Sequence, residues 1–515
     1  MCGIAVAVNW DNAEEAVRRL IQGILHRGDT TDPVATPRAK TAMGTRRLRI
    51  VDPEHGQQPI ASFDGQILVS FNGEIYNHKI LRAELEAMGI PFRTGSDTEV
   101  LANALRAWGA KAIGRLSGMF AFVALDLRNG EFLAARDTFG VKPLYVIQSG
   151  DGFLFCSEIR PLLEAVPEGD VLLVPPGHFL TRQGCGRFPV PAMAAQEHSP
   201  ANLDRILEQA VTSRLPDGLP AAALFSGGID STLLVHYARR HRPDMPAYFA
   251  GTPEAPDAIF ASAYAEMTGL DLRKVECVAG PETLSLLEFV AGAVEAFEPV
   301  VLRPAIYAWQ VSQRIHQDGF RVALCGEGAD ELFAGYSHLE RAYSLGQEAG
   351  HGVRRQCIEL MHRANLQRVD RCGMRFELEV REPFLDSALA AYAGSLGVGA
   401  LLKNVNSALR GKEPLRELYD LYPGELPSMI RDRRKIGFDE GAGLKDDGGW
   451  RDMFEAAVSD ADLAQGLREF AEYEIASKEE LFCLRALAKS MDVSRVPHLK
   501  SRLRLLMPQM AEAAA

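Results

Sequence analysis

Twice between residues 221 and 331 an apolar run gives way to a glycine-rich turn that opens a helix, and this pattern constrains the fold of the 515-residue chain most. The first turn, Ser226-Gly227-Gly228-Ile229-Asp230-Ser231, follows an apolar run at 221–225. The second, Cys325-Gly326-Glu327-Gly328-Ala329-Asp330-Glu331, follows one at 321–324. Between them, strand-like runs at 247–251 and 272–277 alternate with helical stretches at 231–240, near 261–267 and up to about 317. Strands alternating with helices predict a parallel sheet covered on both faces. Sheets of this kind bind ligands at the carboxyl ends of their strands, where both turns fall.

The first turn is not a Walker A loop, because GK[ST] is missing. It nevertheless offers two glycines for close backbone approach, two hydroxyls and the N–H groups of a helix N-terminus, which together suit a pyrophosphate. Asp230 suits Mg²⁺, which takes phosphate oxygens plus one or two carboxylates. The second turn brings Glu327, Asp330 and Glu331 to the same end of the sheet. Alone it reads as a capped turn; paired with the first, it reads as part of a ligand site.

A different chemistry stands at the start of the chain, in Met1-Cys2-Gly3-Ile4-Ala5. Removal of Met1 would leave a thiol and an α-amine on one residue, and an amine with a reference pKa of about 8 can serve as base for the thiol beside it. The competing reading makes Cys2 a small buried hydrophobe at the head of a strand. Residues 1–190 read as a β-rich layered domain. Strands are expected at 3–8, 67–71, 119–126, 131–135, 153–156 and 178–181, with Asn129-Gly130 as a hairpin turn. Helices are expected at 14–26, 79–88 and 98–108. Pro189, Pro191 and Pro200 flank a polar, Ala-rich stretch, so a linker is placed at 191–202 and a second domain at 203–515, mostly helical beyond about 335.

A net charge of −12 argues against a general nucleic-acid binder but leaves local anion sites open. The eight cysteines contain no CxxC pair, which supports neither a zinc site nor a disulfide framework. No leader peptide and no apolar stretch of membrane-spanning length are read, so a reduced, cytoplasmic chain without a membrane partner is expected.

With these two ends on one chain, the sequence resembles the glutamine-dependent asparagine synthetases over nearly its whole length. The likeness is carried by Met-Cys-Gly-Ile, SGGIDS, Arg47-Leu48-Arg49-Ile50-Val51-Asp52, Phe71-Asn72-Gly73-Glu74-Ile75-Tyr76-Asn77, Gly95-Ser96-Asp97-Thr98-Glu99, the run 136–145, the run 326–336 and Arg381-Glu382-Pro383-Phe384-Leu385-Asp386. The resemblance implies an N-terminal-nucleophile αββα sandwich followed by an α/β ATP-pyrophosphatase-like domain with a helical C-terminal part. It implies that Cys2 attacks the glutamine amide, that Asn72 and the Gly73 N–H hold the oxyanion, and that Arg47 takes the glutamine carboxylate. Asp97 and Glu74 would take its ammonium and amide. On the residues alone, Asn72-Gly73 is also an ordinary turn dipeptide and Arg47 a strand-end charge. ATP is implied along Leu224, Ser226, Gly227, Gly228, Ser231, Ala250, Cys325 and Gly326, with Mg²⁺ on Asp230 and Asp330. Lys435 would neutralise leaving pyrophosphate, although beside Arg433 and Arg434 it also reads as surface charge. Glu327 would orient the adenylate or accept a proton from ammonia. The implied substrates are glutamine, ATP and an amino-acid carboxylate, aspartate favoured; dimers are usual for the family, and a water-poor ammonia channel between the domains is expected.

Four departures bear on the acceptor. Asp29-Thr30 follow His26-Arg27-Gly28 where Pro-Asp is usual, Cys325 stands where Ser is usual, the chain is shorter than many relatives, and Glu382 fills a slot often held by Val. Relatives that amidate other carboxylates form the alternative. β-Lactam-forming relatives are less consistent, because they usually lack the N-terminal cysteine.

Overall fold

The computed structural model describes residues 2–189, 198–252, 254–277, 282–405, 407–434, 437, 442–443, 449–501 and 503. Its first strand, β1 (Cys2–Val8), is buried along its whole length, as an apolar run flanked by covered layers must be. There follow α1 (Ala13–Gly23), β2 (Thr41–Arg47), β3 (Ile67–Ile75), α2 (His78–Ala87), α3 (Asp97–Trp108), β4 (Gly118–Asp126), β5 (Phe132–Arg136), β6 (Tyr145–Ser149), β7 (Gly152–Cys156), α4 (Ile159–Ala165) and β8 (His178–Thr181). They form two antiparallel sheets. One runs β6-β7-β1-β2 and is extended by short strands at Thr30–Thr31, Ala35–Arg38 and Leu172–Leu173; the other runs β8-β5-β4-β3, with Ile60–Ala61 and Gly184–Arg187 at its ends.

The sheets meet through Ile4, Val6 and Val8 on one side and Val123, Leu125 and Phe132 on the other. Alternation sends Ala5 and Ala7 outward onto Val17, Leu20 and Leu162 of α1 and α4. The second sheet packs Val69 and Phe71 against Leu81 and Leu101 of α2 and α3. The result is the four-layer αββα sandwich expected of the N-terminal part.

The second unit contains α5 (Pro200–Thr212), β9 (Ala221–Leu224), α6 (Ile229–His241), β10 (Ala247–Gly251), α7 (Asp257–Thr268), β11 (Leu272–Glu276), α8 (Glu282–Val294), α9 (Pro299–Gln317), β12 (Val322–Leu324), α10 (Asn365–Met374) and β13 (Glu379–Arg381). Its sheet is parallel throughout, in the order β11-β10-β9-β12-β13. The chain builds outward from β9 through β10 and β11, then returns to the other side of β9 with β12. The order therefore reverses between β9 and β12, the two strands that carry the glycine-rich turns, and a crevice opens there.

The fifth strand falls in the region beyond 335, which is otherwise mostly helical as expected, and was not anticipated. Glu-Val-Arg gives no apolar signal, because its charges are satisfied by partners rather than by solvent. Across the junction of the two units, Leu48, Ile50, Met119 and Val141 of the sandwich share one apolar core with Phe225, Phe384 and Leu385. Among the described residues, no helix is long and apolar enough to cross a membrane.

Candidate active site

Cys2 heads β1, buried, and pairs across the sheet with Arg47 of β2. Its backbone N–H donates to Asn72 Oδ1 at 3.0 Å. An N–H can only donate, so the Asn72 amide is fixed with its oxygen toward Cys2; the buried Nδ2 has no hydrogen-bond partner among the described residues. Asn72 and Gly73 lie within β3, opposite Ala121 and Phe120, rather than in a turn. At Gly73 φ is +156°, and a Cβ there would stand 2.1 Å from the Met119 carbonyl oxygen, so only glycine fits. Burial pushes the Cys2 thiol up to about 11, with Asp32 and Glu379 adding to the effect. Such a thiol needs a base to become a nucleophile.

Around it, the Arg47 guanidinium donates to the Pro53 carbonyl at 3.3 Å and lies 3.2 Å from Asp32. Asp97, at the start of α3, accepts from the Ile75 N–H at 3.0 Å. Glu74 is ion-paired with Arg381 of β13, which also holds Glu379 at 2.6 Å. That partner comes from the other unit and was not anticipated. Gln58 was also missed: its Nε2 lies 3.9 Å from Cys2 Sγ, while its Oε1 accepts from the Phe71 N–H at 2.7 Å. No local motif marks it. Arg27, in the His-Arg-Gly segment, donates to the Cys2 carbonyl at 3.2 Å and grips Asp370 of α10 with both terminal nitrogens. The Asp29-Thr30 departure is absorbed locally, since Asp29 binds Arg49 and Thr30 pairs with Arg47.

The second site is a cavity of about 650 Å³ in the crevice between β9 and β12. Leu224, Ser226, Asp230, Ser231, Ala250, Cys325, Gly326, Glu327 and Asp330 all line it. The first turn is held by its own hydroxyls, with Ser231 Oγ accepting from the Ser226 N–H at 3.3 Å and Ser226 Oγ from the Gly228 N–H at 3.3 Å. Gly227, at φ +67°, lies so close to α7 that a Cβ would meet Ala261 N at 2.5 Å, and Gly228 caps α6. The two glycines shape the loop, and the serines face the cavity. Glu327 is paired with Arg368 of α10. Burial beside Asp330 and Glu327 pushes Glu331 up to about 7, where it accepts from Tyr336 and Asn365.

Asp230 and Asp330 converge on one ammonium, that of buried Lys412, which lies 2.6 Å from Asp330 and also bonds Asp230. Two carboxylates close enough to share one cation, beside a phosphate-type turn, fit the mixed carboxylate and phosphate set that Mg²⁺ takes. Among the described residues no group of three or more His, Cys, Asp or Glu forms a metal cage; phosphate oxygens and water are the usual remaining ligands of Mg²⁺. Lys412 was absent from the sequence expectations, since a lysine before Glu-Pro carries no signal. Lys435 lies outside the described residues. Arg433 donates to the Gly227 carbonyl at 3.1 Å and lies over the Phe260 ring, so Arg433 itself reaches the first turn.

An N-terminal-nucleophile sandwich with a cysteine at its head, joined to a parallel sheet with a pyrophosphate-type turn, defines a glutamine-dependent ligase that forms carbon–nitrogen bonds. Residues 1–171 match the glutamine amidotransferase domain family, and residues 202–356 and 348–482 match asparagine synthase. The chain is 30% identical over 505 residues to asparagine synthetase [glutamine-hydrolyzing] 2 of Arabidopsis thaliana, covering 94% of this chain and 86% of the relative. It is 30% identical to the asparagine synthetase [glutamine-hydrolyzing] of Triphysaria versicolor, covering 88% and 80%. A solved glutamine phosphoribosylpyrophosphate amidotransferase from B. subtilis is similar at 19% identity and a TM-score of 0.33, covering 63% of this chain and 81% of that one. The chain belongs to the glutamine-hydrolysing asparagine synthetase family.

Proposed function

We propose that this ligase makes asparagine from aspartate, with residues 1–190 as the glutaminase part, 191–202 as linker and 203–515 as the synthetase part. One observation carries the reading: a buried cysteine at the head of the sandwich, beside an unpartnered amide donor, lies one short strand away from a cavity lined by both glycine-rich turns. The names of the relatives point the same way.

Loss of Met1 frees the Cys2 α-amine, which takes the thiol proton that burial otherwise holds in place. The sulfur attacks the glutamine amide carbon. Asn72 Nδ2 and the Gly73 N–H receive the oxyanion, while Arg47, Glu74 and Asp97 hold the amino-acid end. The same amine protonates the departing nitrogen, and water releases glutamate from the thioester. In the second cavity an aspartate side-chain oxygen attacks the α-phosphorus of ATP, and pyrophosphate leaves against the Ser226–Ser231 turn and Lys435. Mg²⁺, held by Asp230 and Asp330 when bound, supplies charge neutralisation at the phosphates. Ammonia then displaces AMP from the acyl carbon, with Glu327 placed to accept its proton. Free ammonia is protonated in neutral water and loses its lone pair, so it travels through the apolar junction of Leu48, Ile50, Met119 and Val141. A homodimer and a cytoplasmic location complete the proposal by family resemblance.

The test is the purified enzyme with glutamine, MgATP and a panel of carboxylates, products identified by mass spectrometry. Asparagine, AMP and pyrophosphate are expected only with aspartate, with glutamate formed alongside. AMP formation that ignores aspartate but responds to another acid would overturn the acceptor.

A further inference from the structure

Strand β13 runs from one reaction centre to the other. At its start, Glu379 acts electrostatically on the Cys2 thiol. At its end, the Arg381 side chain reaches Glu74 of the Cys2 pocket while the Arg381 carbonyl accepts from the Cys325 N–H, on the turn that lines the nucleotide cavity, at 3.0 Å. The next residue is Glu382. It is 3% exposed, and its Oε2 has no hydrogen-bond partner among the described residues. Lys142, from the loop between β5 and β6, is fully buried, and its ammonium likewise makes no hydrogen bond there; the nearest carboxylate is Asp370, at 3.6 Å. A glutamate and a lysine left incompletely satisfied inside an apolar junction cost stability, and proteins retain such groups mostly where they work.

We propose that buried Glu382, in this junction, is a binding and proton-exchange site for the ammonia that passes from the Cys2 pocket to the adenylation cavity. The inference rests on the amidotransferase reading above and adds a residue to it. The protonated carboxyl gives its proton to the nitrogen lone pair: an N–H bond forms as the O–H bond breaks, leaving an ammonium–carboxylate pair. Return of the proton releases ammonia toward Cys325 and Glu327, with no net proton consumed. The surroundings favour an exchangeable proton. Burial pushes Glu382 up to about 7; Lys142 and Arg214 pull it down, while Asp370 and Asp137 raise it further. Its charge in turn pushes up the Cys325 thiol, on the synthetase side, and the Tyr76 hydroxyl, on the sandwich side. Valine, often found in this slot by the family resemblance, could not exchange a proton.

The experiment measures glutamate formed per asparagine formed in the full-length enzyme, with glutamine as donor and in parallel with ammonium chloride. Glu382→Gln keeps the shape and removes the exchangeable acid. The variant is expected to melt no lower than wild type and to keep glutaminase and ammonia-driven synthesis within about twofold, while its glutamate-to-asparagine ratio rises about fivefold or more. The wild-type ratio should change between about pH 6 and about pH 8, and that of the variant should stay flat. A ratio unchanged in Glu382→Gln overturns the site. So does recovery of coupling in the double variant Lys142→Met/Glu382→Gln, since a mere ion pair would be relieved by removing both charges. If wild type makes no asparagine from glutamine, the amidotransferase reading itself fails, a result distinct from a defect confined to the variant.

Discussion

The guanidinium of Arg381, at the end of the parallel sheet, holds the carboxylate of Glu74 inside the Cys2 pocket of the other unit. Both side chains are buried, and Glu379 takes the guanidinium Nε at 2.6 Å. Arg381→Met takes this cation from two buried carboxylates, which typically costs on the order of 3–5 kcal/mol. A lower melting temperature and a glutamine KM raised about tenfold are expected. An unchanged melt and KM would show that the pair does not support the pocket.

Asn72→Asp keeps an oxygen to receive the Cys2 nitrogen but removes the Nδ2 donor. Losing one oxyanion donor lowers kcat about 10²–10³-fold. Glutaminase turnover should fall by that amount with little change in KM, while synthesis from ammonium chloride persists. A parallel loss of the ammonia-driven reaction would point to misfolding instead.

Lys412 stands between the two carboxylates proposed to hold Mg²⁺. Lys412→Met leaves Asp230 and Asp330 facing each other without that ammonium, so the variant should melt lower than wild type. Added Mg²⁺ should raise its melting temperature more than that of wild type, because a bound cation stabilises the state that binds it. Equal shifts in both proteins would argue against a cation site at this pair. Glutaminase activity, which does not involve these residues, should be unaffected.

Glu382 sits at about 7 in the folded chain against 4.5 for the free side chain. Between those values the folded state binds more protons than the unfolded one, so stability falls as pH rises through that window. The full cost is on the order of 3 kcal/mol above about pH 7 and vanishes below about pH 4.5. Glu382→Gln should therefore melt higher than wild type at about pH 8 and no higher at about pH 4.5. Thermal melts across pH decide it; parallel curves would mean that Glu382 titrates normally.

An ammonia-consuming dehydrogenase added to the assay tests the interior route. Transfer through the apolar junction predicts that asparagine made from glutamine survives the scavenger, while synthesis from added ammonium chloride is suppressed. Equal suppression of both would place the ammonia in bulk solvent.

Much of this molecule is written locally. The strand at 247–251 and the hairpin at Asn129-Gly130 follow from short-range patterns, and so do both glycine-rich turns, because apolar periodicity and turn residues act over a few positions. Cys2 and the cavity serines stand in short motifs that a local reading marks, whereas Asn72 and Arg47 read on their own as a turn dipeptide and a strand-end charge and took their expected roles only from the family resemblance. β13, Gln58, Lys412 and the Glu74–Arg381 pair left no such trace. Their charges and amides look like surface residues in a one-dimensional reading, and only the tertiary structure supplies partners from more than about fifty positions away, which make burial tolerable. The sequence by itself determined what each centre can do. The folded chain decided how the two are joined, because a buried ion or amide is specified by what folds against it.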